Sequence, residues 1–200
     1  MNFEHLRAVG GDAPCRLAQL AWDMPGKCVL IAELDRPMVV TQDMRQDLPP
    51  LSDERRDRLE SRGYPDTILD AIGSDAEANI YENADLKPET VNGKDVLIRG
   101  DIDYDREDAF GKTNLERMRD GRAPLDDGGK PIELHHIGQS QDSPLAELTG
   151  SEHRGNGNDN ILHNKLKESE IDRGNFGDER GDHWKARATQ IDNQRDRETS

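Results

Sequence analysis

Aromatic residues are scarce in this 200-residue chain: two Trp, three Tyr and three Phe, 4% of the total. The apolar share is 32%, against about 45–50% in ordinary globular domains, and the mean hydropathy is −0.97. The core must therefore be small. Such a chain suits one moderate domain or a small domain with an appendage, and a metal tying loops together would add stability. Turn and helix signals are nonetheless abundant, which argues against full disorder. No apolar run is long enough to cross a bilayer, and no basic start leads into a signal-peptide core. If the protein leaves its cell, the means are expected to come from another module. Cysteine is rare too: Cys15 and Cys28 alone, without CxxC spacing, are expected to remain thiols and to be poor zinc ligands.

Positive charge is also short. The chain holds 27 Lys+Arg against 42 Asp+Glu, a net charge of −15, which opposes extensive phosphate binding. The imbalance is uneven. Residues 1–110 carry 13 basic and 24 acidic side chains, whereas residues 111–188 carry 12 and 15. The latter stretch is near neutral, with Arg117, Arg119, Arg122 and Lys130 close together. A local basic face is expected there, and tight salt-resistant nucleic-acid binding is not.

Four segments follow from the punctuation. Residues 1–50 read as an appendage of unknown role or the remnant of a longer delivery protein, with a short helix expected over Pro14–Trp22, a buried strand over Cys28–Leu34, and Pro49-Pro50 as the boundary. Residues 51–110 read as helices and a hairpin. Ser52 is placed to N-cap a helix ending near Gly63, Pro65 to open a second stopping at Gly73, and Ser74-Asp75-Ala76-Glu77 to start a third as a capping box. Leu59, Ile68, Leu69, Ile72, Ile80 and Tyr81 are the expected buried residues. Asn92-Gly93 predicts a tight turn into a strand from Asp95 to Ile102. Asp101, Asp103 and Asp105 lack the glycine and distal glutamate of a calcium loop and read as a solvated acidic loop.

Residues 111–188 hold the informative stretch. Thr113-Asn114-Leu115-Glu116 is a second capping box, with its helix stopping at Gly121. After the turn Asp126-Asp127-Gly128-Gly129, the short run Pro131-Ile132-Glu133-Leu134 ends in His135-His136. Five of the six histidines fall between 135 and 183. Adjacent strand residues point to opposite faces, so one imidazole of the pair can bind a metal while the other faces a substrate. Leu145–Thr149 reads as a second strand, and Ser151 as the cap of a helical turn carrying His153. Ile161–Ile171 is expected to be helical with His163 near its start, and Asp178–Ala188 to be a last helix with Trp184 inward. Residues 189–200 are expected to be a frayed polar tail. His183 reads as structural.

Glu133-Leu134-His135-His136 followed by His153 and His163 resembles the LHH branch of the HNH/endonuclease VII (His-Me finger) nucleases. Gly111-Lys112-Thr113-Asn114-Leu115-Glu116-Arg117-Met118, Gly121-Arg122-Ala123-Pro124, Gly129-Lys130-Pro131-Ile132 and Leu145-Ala146-Glu147-Leu148-Thr149 fit the same pattern. The resemblance implies an α+β fold: a ββα-metal finger over about 126–172, preceded by a mainly helical N-terminal extension. It implies a metal-dependent endonuclease acting on DNA, as found at the toxic tips of bacterial polymorphic toxins. Such a tip would be delivered by another module, act in the target-cell cytoplasm and be held by a cognate immunity protein. Carried over, His135 is a metal ligand and His136 the general base. His153 and His163 complete the ligand set, with an insertion between them because position 157 is glycine.

Alternatives stay open within that frame. In a rival assignment His153 holds the phosphate, with Asn160 or Asp159 supporting the metal. Glu133 would orient an arginine or a ligand, or be an ordinary exposed glutamate. Arg117 is the candidate phosphate clamp, since guanidinium binds phosphate bidentately, or else a solvated helix position. Three histidines suit Zn²⁺ or Ni²⁺ with one position open, whereas Mg²⁺ prefers oxygen. Rival functions are a housekeeping, phage or restriction-type HNH nuclease, and a non-catalytic zinc-stabilised module binding nucleic acid or protein.

Overall fold

The computed structural model describes residues 48–163, 165 and 171–199. The expectations for residues 1–47, including the Pro14–Trp22 helix, the Cys28–Leu34 strand and both cysteines, lie outside the described residues. The first three helices are α1 (Asp53–Ser61), α2 (Asp66–Ala71) and α3 (Asp75–Asn83). Helix α1 ends in a Schellman turn: Gly63, at φ 86°, donates to the Glu60 carbonyl and Tyr64 to that of Leu59. Ser52 does not cap it. Its hydroxyl and its backbone N–H both donate to Asp75, so it ties the start of α1 to the start of α3. Ser74 caps α3 by accepting from the Glu77 N–H, while Glu77 reaches back to the Gly73 N–H and also accepts from Tyr81. Leu59, Ile68, Leu69, Ile72, Ile80 and Tyr81 are all buried, as their spacing predicts.

The hairpin of β1 (Lys87–Val91) and β2 (Lys94–Ile98) turns at Asn92 (φ 52°) and Gly93 (φ 77°), the positive-φ pair that a two-residue turn demands. Strand β2 stops at Ile98, short of the expected Ile102. The acidic loop beyond it is not simply solvated, since Asp101 holds Arg99 and Asp105 holds Arg195. Strands β3 (Glu133–His136) and β4 (Leu145–Leu148) complete a four-stranded sheet of order β1-β2-β4-β3. β4 runs parallel to β2 and antiparallel to β3, which forms the edge, with His135 opposite Ala146 and His136 opposite Leu145.

Alternation along these strands sorts side chains between two cores. Leu97, Ala146 and Leu148 pack with α1–α3. Val96, Leu134 and Leu145 pack with Leu115 and Met118 of helix α4 (Asn114–Arg119) and with Trp184, Ala188 and Ile191 of the last helix. Thr113 and Glu116 cap α4 reciprocally. The chain is therefore α+β. A β3–β4 hairpin feeds helix α5 (Gly150–Arg154), followed by α6 (Asn158–Leu162) and the long α7 (Arg173–Glu198).

Three further local expectations need correction. Thr149, not Ser151, caps α5, because Glu152 sits at the reciprocal capping-box position. Helix α6 ends at Leu162, so His163 is its extended C-cap residue rather than an early helical one. The rest of the expected 161–171 helix falls mainly outside the described residues. The expected frayed tail is helical to Glu198. Arg119–Asp192, Arg195–Asp105 and a Gln190 bond to the Thr90 carbonyl hold it against distant parts of the chain.

Candidate metal centre

Strand alternation aims His135 and His136 at opposite faces of β3, and each meets a different helix. His135 meets His153 and His163. The Thr149–Glu152 capping box starts α5 immediately after β4, which puts His153 in its last turn. The chain then reverses at Gly155, where an added Cβ would lie 2.5 Å from the Ser151 carbonyl oxygen; only glycine allows that approach. Asn158 donates to the Glu152 carbonyl at 2.7 Å, joining α6 to α5, and buried Leu162 anchors α6 so that His163 turns back. Ten residues of separation thus close to side-chain contact.

His153 Nε2 lies 3.2 Å from His135 Nδ1 and 3.2 Å from His163 Nε2. One ring nitrogen from each residue lies within 4.8 Å of the others. The outer nitrogens explain why His153 and His163 face inward. Glu133 accepts from His153 Nδ1 at 2.7 Å, and Asp159 accepts from His163 Nδ1 at 3.0 Å. With protons held on those Nδ1 atoms, the lone pairs of both Nε2 atoms point into the cluster. Burial holds the His153 imidazolium below the ordinary histidine range; Glu133 opposes this and nearby His163 adds to it. Lone pairs converging at 3.2 Å repel unless a cation sits among them. The donor set therefore fits a divalent ion with three nitrogen ligands and an open position.

Glu133 fills both roles its position allowed. Its other oxygen accepts from Arg154. Asp159 orients His163 and pairs with Lys165 at 2.5 Å. Arg117 has other partners than those expected: its guanidinium donates to Asp108 at 2.7 Å and to the Ala123 carbonyl at 3.1 Å. These bonds brace the loop around α4, and the side chain is only 13% exposed.

His136 meets α7. It is 1% exposed, its Nε2 lies 2.9 Å from Glu179 Oε2, and the Phe176 ring packs against it at 4.6 Å. Glu179 also accepts from Lys94 at 2.5 Å. Burial lowers the His136 pKa from its ordinary value, with Glu179 opposing and Lys94 reinforcing the shift. The chain turns away just after it at Gly138 (φ 78°), where a Cβ would stand 2.9 Å from the Ala71 carbonyl oxygen of α2. Beside His153 a groove of about 490 Å³ is lined by Glu133, Arg154, Phe176 and Arg180 among others.

Sequence reading missed Glu179, Lys94, Phe176, Arg154 and the partner role of Asp159. One signal was present on α7: Glu179, His183 and Arg187 recur every four residues, forming a polar stripe beside the apolar one of Trp184, Ala188 and Ile191. His183 follows the structural reading, donating to Glu147 of β4 at 2.8 Å, and Arg187 donates to the same carboxylate at 2.9 Å.

A β-hairpin and a short helix that gather three histidines around one point, with a fourth histidine at the strand end, define a ββα finger able to hold a metal. Residues 113–190 match the family model LHH, described as a nuclease of the HNH/ENDO VII superfamily with conserved LHH. That segment is an LHH-type nuclease domain, whose superfamily uses a divalent metal and acts on nucleic acid. Residues 1–112 lie outside the match. No solved structure matches the chain.

Proposed function

We propose that the domain is a metal-dependent endonuclease that hydrolyses DNA, with His136 as general base and His135, His153 and His163 as metal ligands. The observation that supports this reading is the converging set of three imidazoles next in sequence to a fourth held apart by Glu179. DNA lacks the 2′-hydroxyl that serves as an internal nucleophile in RNA, so water must attack and needs a base. His136 takes a proton from that water at Nδ1, the resulting hydroxide forms the new P–O bond, and the bond to the leaving oxygen breaks as that oxygen takes a proton from solvent. A bound divalent cation would supply charge to a phosphate oxygen and the leaving oxygen. Three nitrogen ligands favour Zn²⁺ or Ni²⁺ over Mg²⁺. Arg154 and Arg180 offer local positive charge in the groove beside His153, in a chain whose bulk charge is acidic.

The same resemblance to LHH nucleases supports a toxin module delivered into a target-cell cytoplasm and neutralised at home by an immunity protein. In an acidic chain that partner would rely less on bulk charge and would cover the groove or the His136 pocket. One observation favours a second reading, a zinc-stabilised module without catalysis: His136 is almost wholly buried beneath Phe176. Nicking of supercoiled plasmid by metal-loaded protein, lost in His136→Ala, is the expected result. Activity in neither protein would favour the second reading. Toxicity on bacterial expression, relieved by a co-expressed neighbouring small gene, tests the toxin assignment.

A further inference from the structure

A base must present a lone pair in a fixed direction, and imidazole has two nitrogens between which its proton can move. At His136 the choice is constrained by α7. A carboxylate accepts and does not donate, so Glu179 Oε2, at 2.9 Å, calls for the proton on Nε2. Lys94 Nζ holds the other carboxylate oxygen at 2.5 Å and bonds the Gln141 carbonyl at 3.4 Å, which fixes the rotamer of Glu179 from the side of β2. Phe176, one turn earlier on α7, limits rotation of the ring.

The helix that carries Glu179 is itself held in register. His183, one turn on, and Arg187, two turns on, both bond the fully buried Glu147 of β4. Trp184, Ala188 and Ile191 sit in the core beside them. A one-residue slip of α7 would break all of these bonds. Glu179 therefore reaches the finger from a rigid element rather than from a loop. Lys94 alone does not account for its orientation, because each oxygen is directed to a different partner.

We infer that Glu179 is a positioning residue for the base: it holds the Nε2 proton of His136 and leaves Nδ1 as the only acceptor for the water's proton. Lys94 and the α7 anchor keep it in place. This rests on the reading of His136 as the base.

The test uses the full metal-loaded chain and four variants: Glu179→Ala, Glu179→Gln, His136→Ala and the Glu179→Ala/His136→Ala double. Glu179→Ala should lower kcat roughly 10–100-fold, as loss of an orienting partner commonly does, with KM for plasmid and Zn²⁺ stoichiometry unchanged. Glu179→Gln should recover part of that loss, because its amide oxygen can accept the same proton. In the double variant the Glu179 change should add nothing to the loss from His136→Ala. Long-range ¹H–¹⁵N NMR of the wild-type ring, which needs no variant to fold, should show the proton on Nε2. A proton on Nδ1 overturns the inference, as does wild-type kcat in Glu179→Ala beside an inert His136→Ala. An additive loss in the double variant, or a fall in Zn²⁺ stoichiometry, would make Glu179 merely structural and equally overturn it. An active His136→Ala protein removes the base assignment itself and the inference with it.

Discussion

Two polar clusters, one buried and one half-buried, lie on opposite sides of the same sheet, and they differ in whether they are complete. On the α7 side, the Glu147 carboxylate accepts from His183, from the Arg187 guanidinium and from the Arg99 backbone N–H at 2.9 Å. Burial alone would raise its pKa, but His183, Arg187 and the Arg99 N–H outweigh burial and hold it below the ordinary carboxylate value. Every charge there has its opposite. On the other side, ring nitrogens of His135, His153 and His163 face one another, with the Nδ1 donors of His153 and His163 turned outward to Glu133 and Asp159. A buried cluster whose donors and acceptors balance is a structural device. One whose ring nitrogens converge in this way is suited to hold a cation.

Metal removal should expose this difference most strongly. His153→Ala should abolish the stoichiometric Zn²⁺ uptake that metal-free wild-type protein shows in calorimetry, and either that change or chelation should lower cleavage by roughly 10³-fold or more, since metal charge stabilisation is worth several kcal/mol. Stability should fall as well, by roughly 4 kcal/mol if the metal is present at about 1,000 times its Kd. Retention of full Zn²⁺ affinity by His153→Ala would break the comparison. His136→Ala comes next: a loss of about 10²–10⁴-fold in plasmid cleavage, with metal uptake and melting nearly intact, since its ring does not join the cluster. Parallel loss of Zn²⁺ would place it among the ligands instead.

The complete cluster should behave in the opposite way, costing stability and sparing the metal. Glu147→Ala leaves His183 and Arg187 buried without their partner, and removing one side of a buried pair typically costs about 3–5 kcal/mol. Denaturant melts should show this with Zn²⁺ stoichiometry preserved. Glu147→Gln sharpens it through pH. The folded pKa of Glu147 lies below the unfolded value of about 4.3, so its contribution is complete above that value and is lost as pH falls through the folded pKa. Wild-type stability should therefore drop more steeply on acidification than that of Glu147→Gln, with both metal-loaded at the outset. Parallel acid limbs would mean that Glu147 is not the carboxylate responsible.

What the sequence revealed follows the range of the interactions. Capping boxes at Ser74 and Thr113, the Asn92-Gly93 turn and the buried helix positions are decided within four or five residues, and they stand as expected apart from a one-residue reach by Glu77. The convergence of His135, His153 and His163 was legible from their crowding and from the family resemblance. His163 at a helix end was not, because α6 stops on the tertiary anchoring of Leu162 and the Asn158 bond to α5. The length of α7 was hidden for a similar reason: Gly174, Gly177 and Gly181 weaken its first half and its polar second half lacks an apolar stripe beyond Ile191. Contacts to residues 70 and more positions away hold it instead. Glu179 lies 43 residues from His136, and nothing local marks such a pair.

Arg117 provides the smallest effect and the finest discrimination. A phosphate clamp would need its guanidinium free for substrate, and loss of it would raise KM or lower kcat by an order of magnitude or more. The structure gives it a bracing role instead. Its Nη1 bonds Asp108, whose carboxyl is held below its usual pKa by Arg117 and by the Lys112 and Phe110 N–H groups, while its Nε fixes the Ala123 carbonyl. Ala123 lines the groove beside His153, so the brace acts on one wall of that groove rather than on the phosphate. Arg117→Ala should therefore lower the melting temperature by a few degrees, the order expected for a lost charge-assisted bond, and change kcat by about threefold at most. Arg117→Lys should behave like the alanine variant, because an ammonium cannot reach Asp108 and the Ala123 carbonyl with the same fork. A loss of more than about tenfold in kcat/KM with unchanged melting would return Arg117 to the substrate and make the α4 loop part of the active surface.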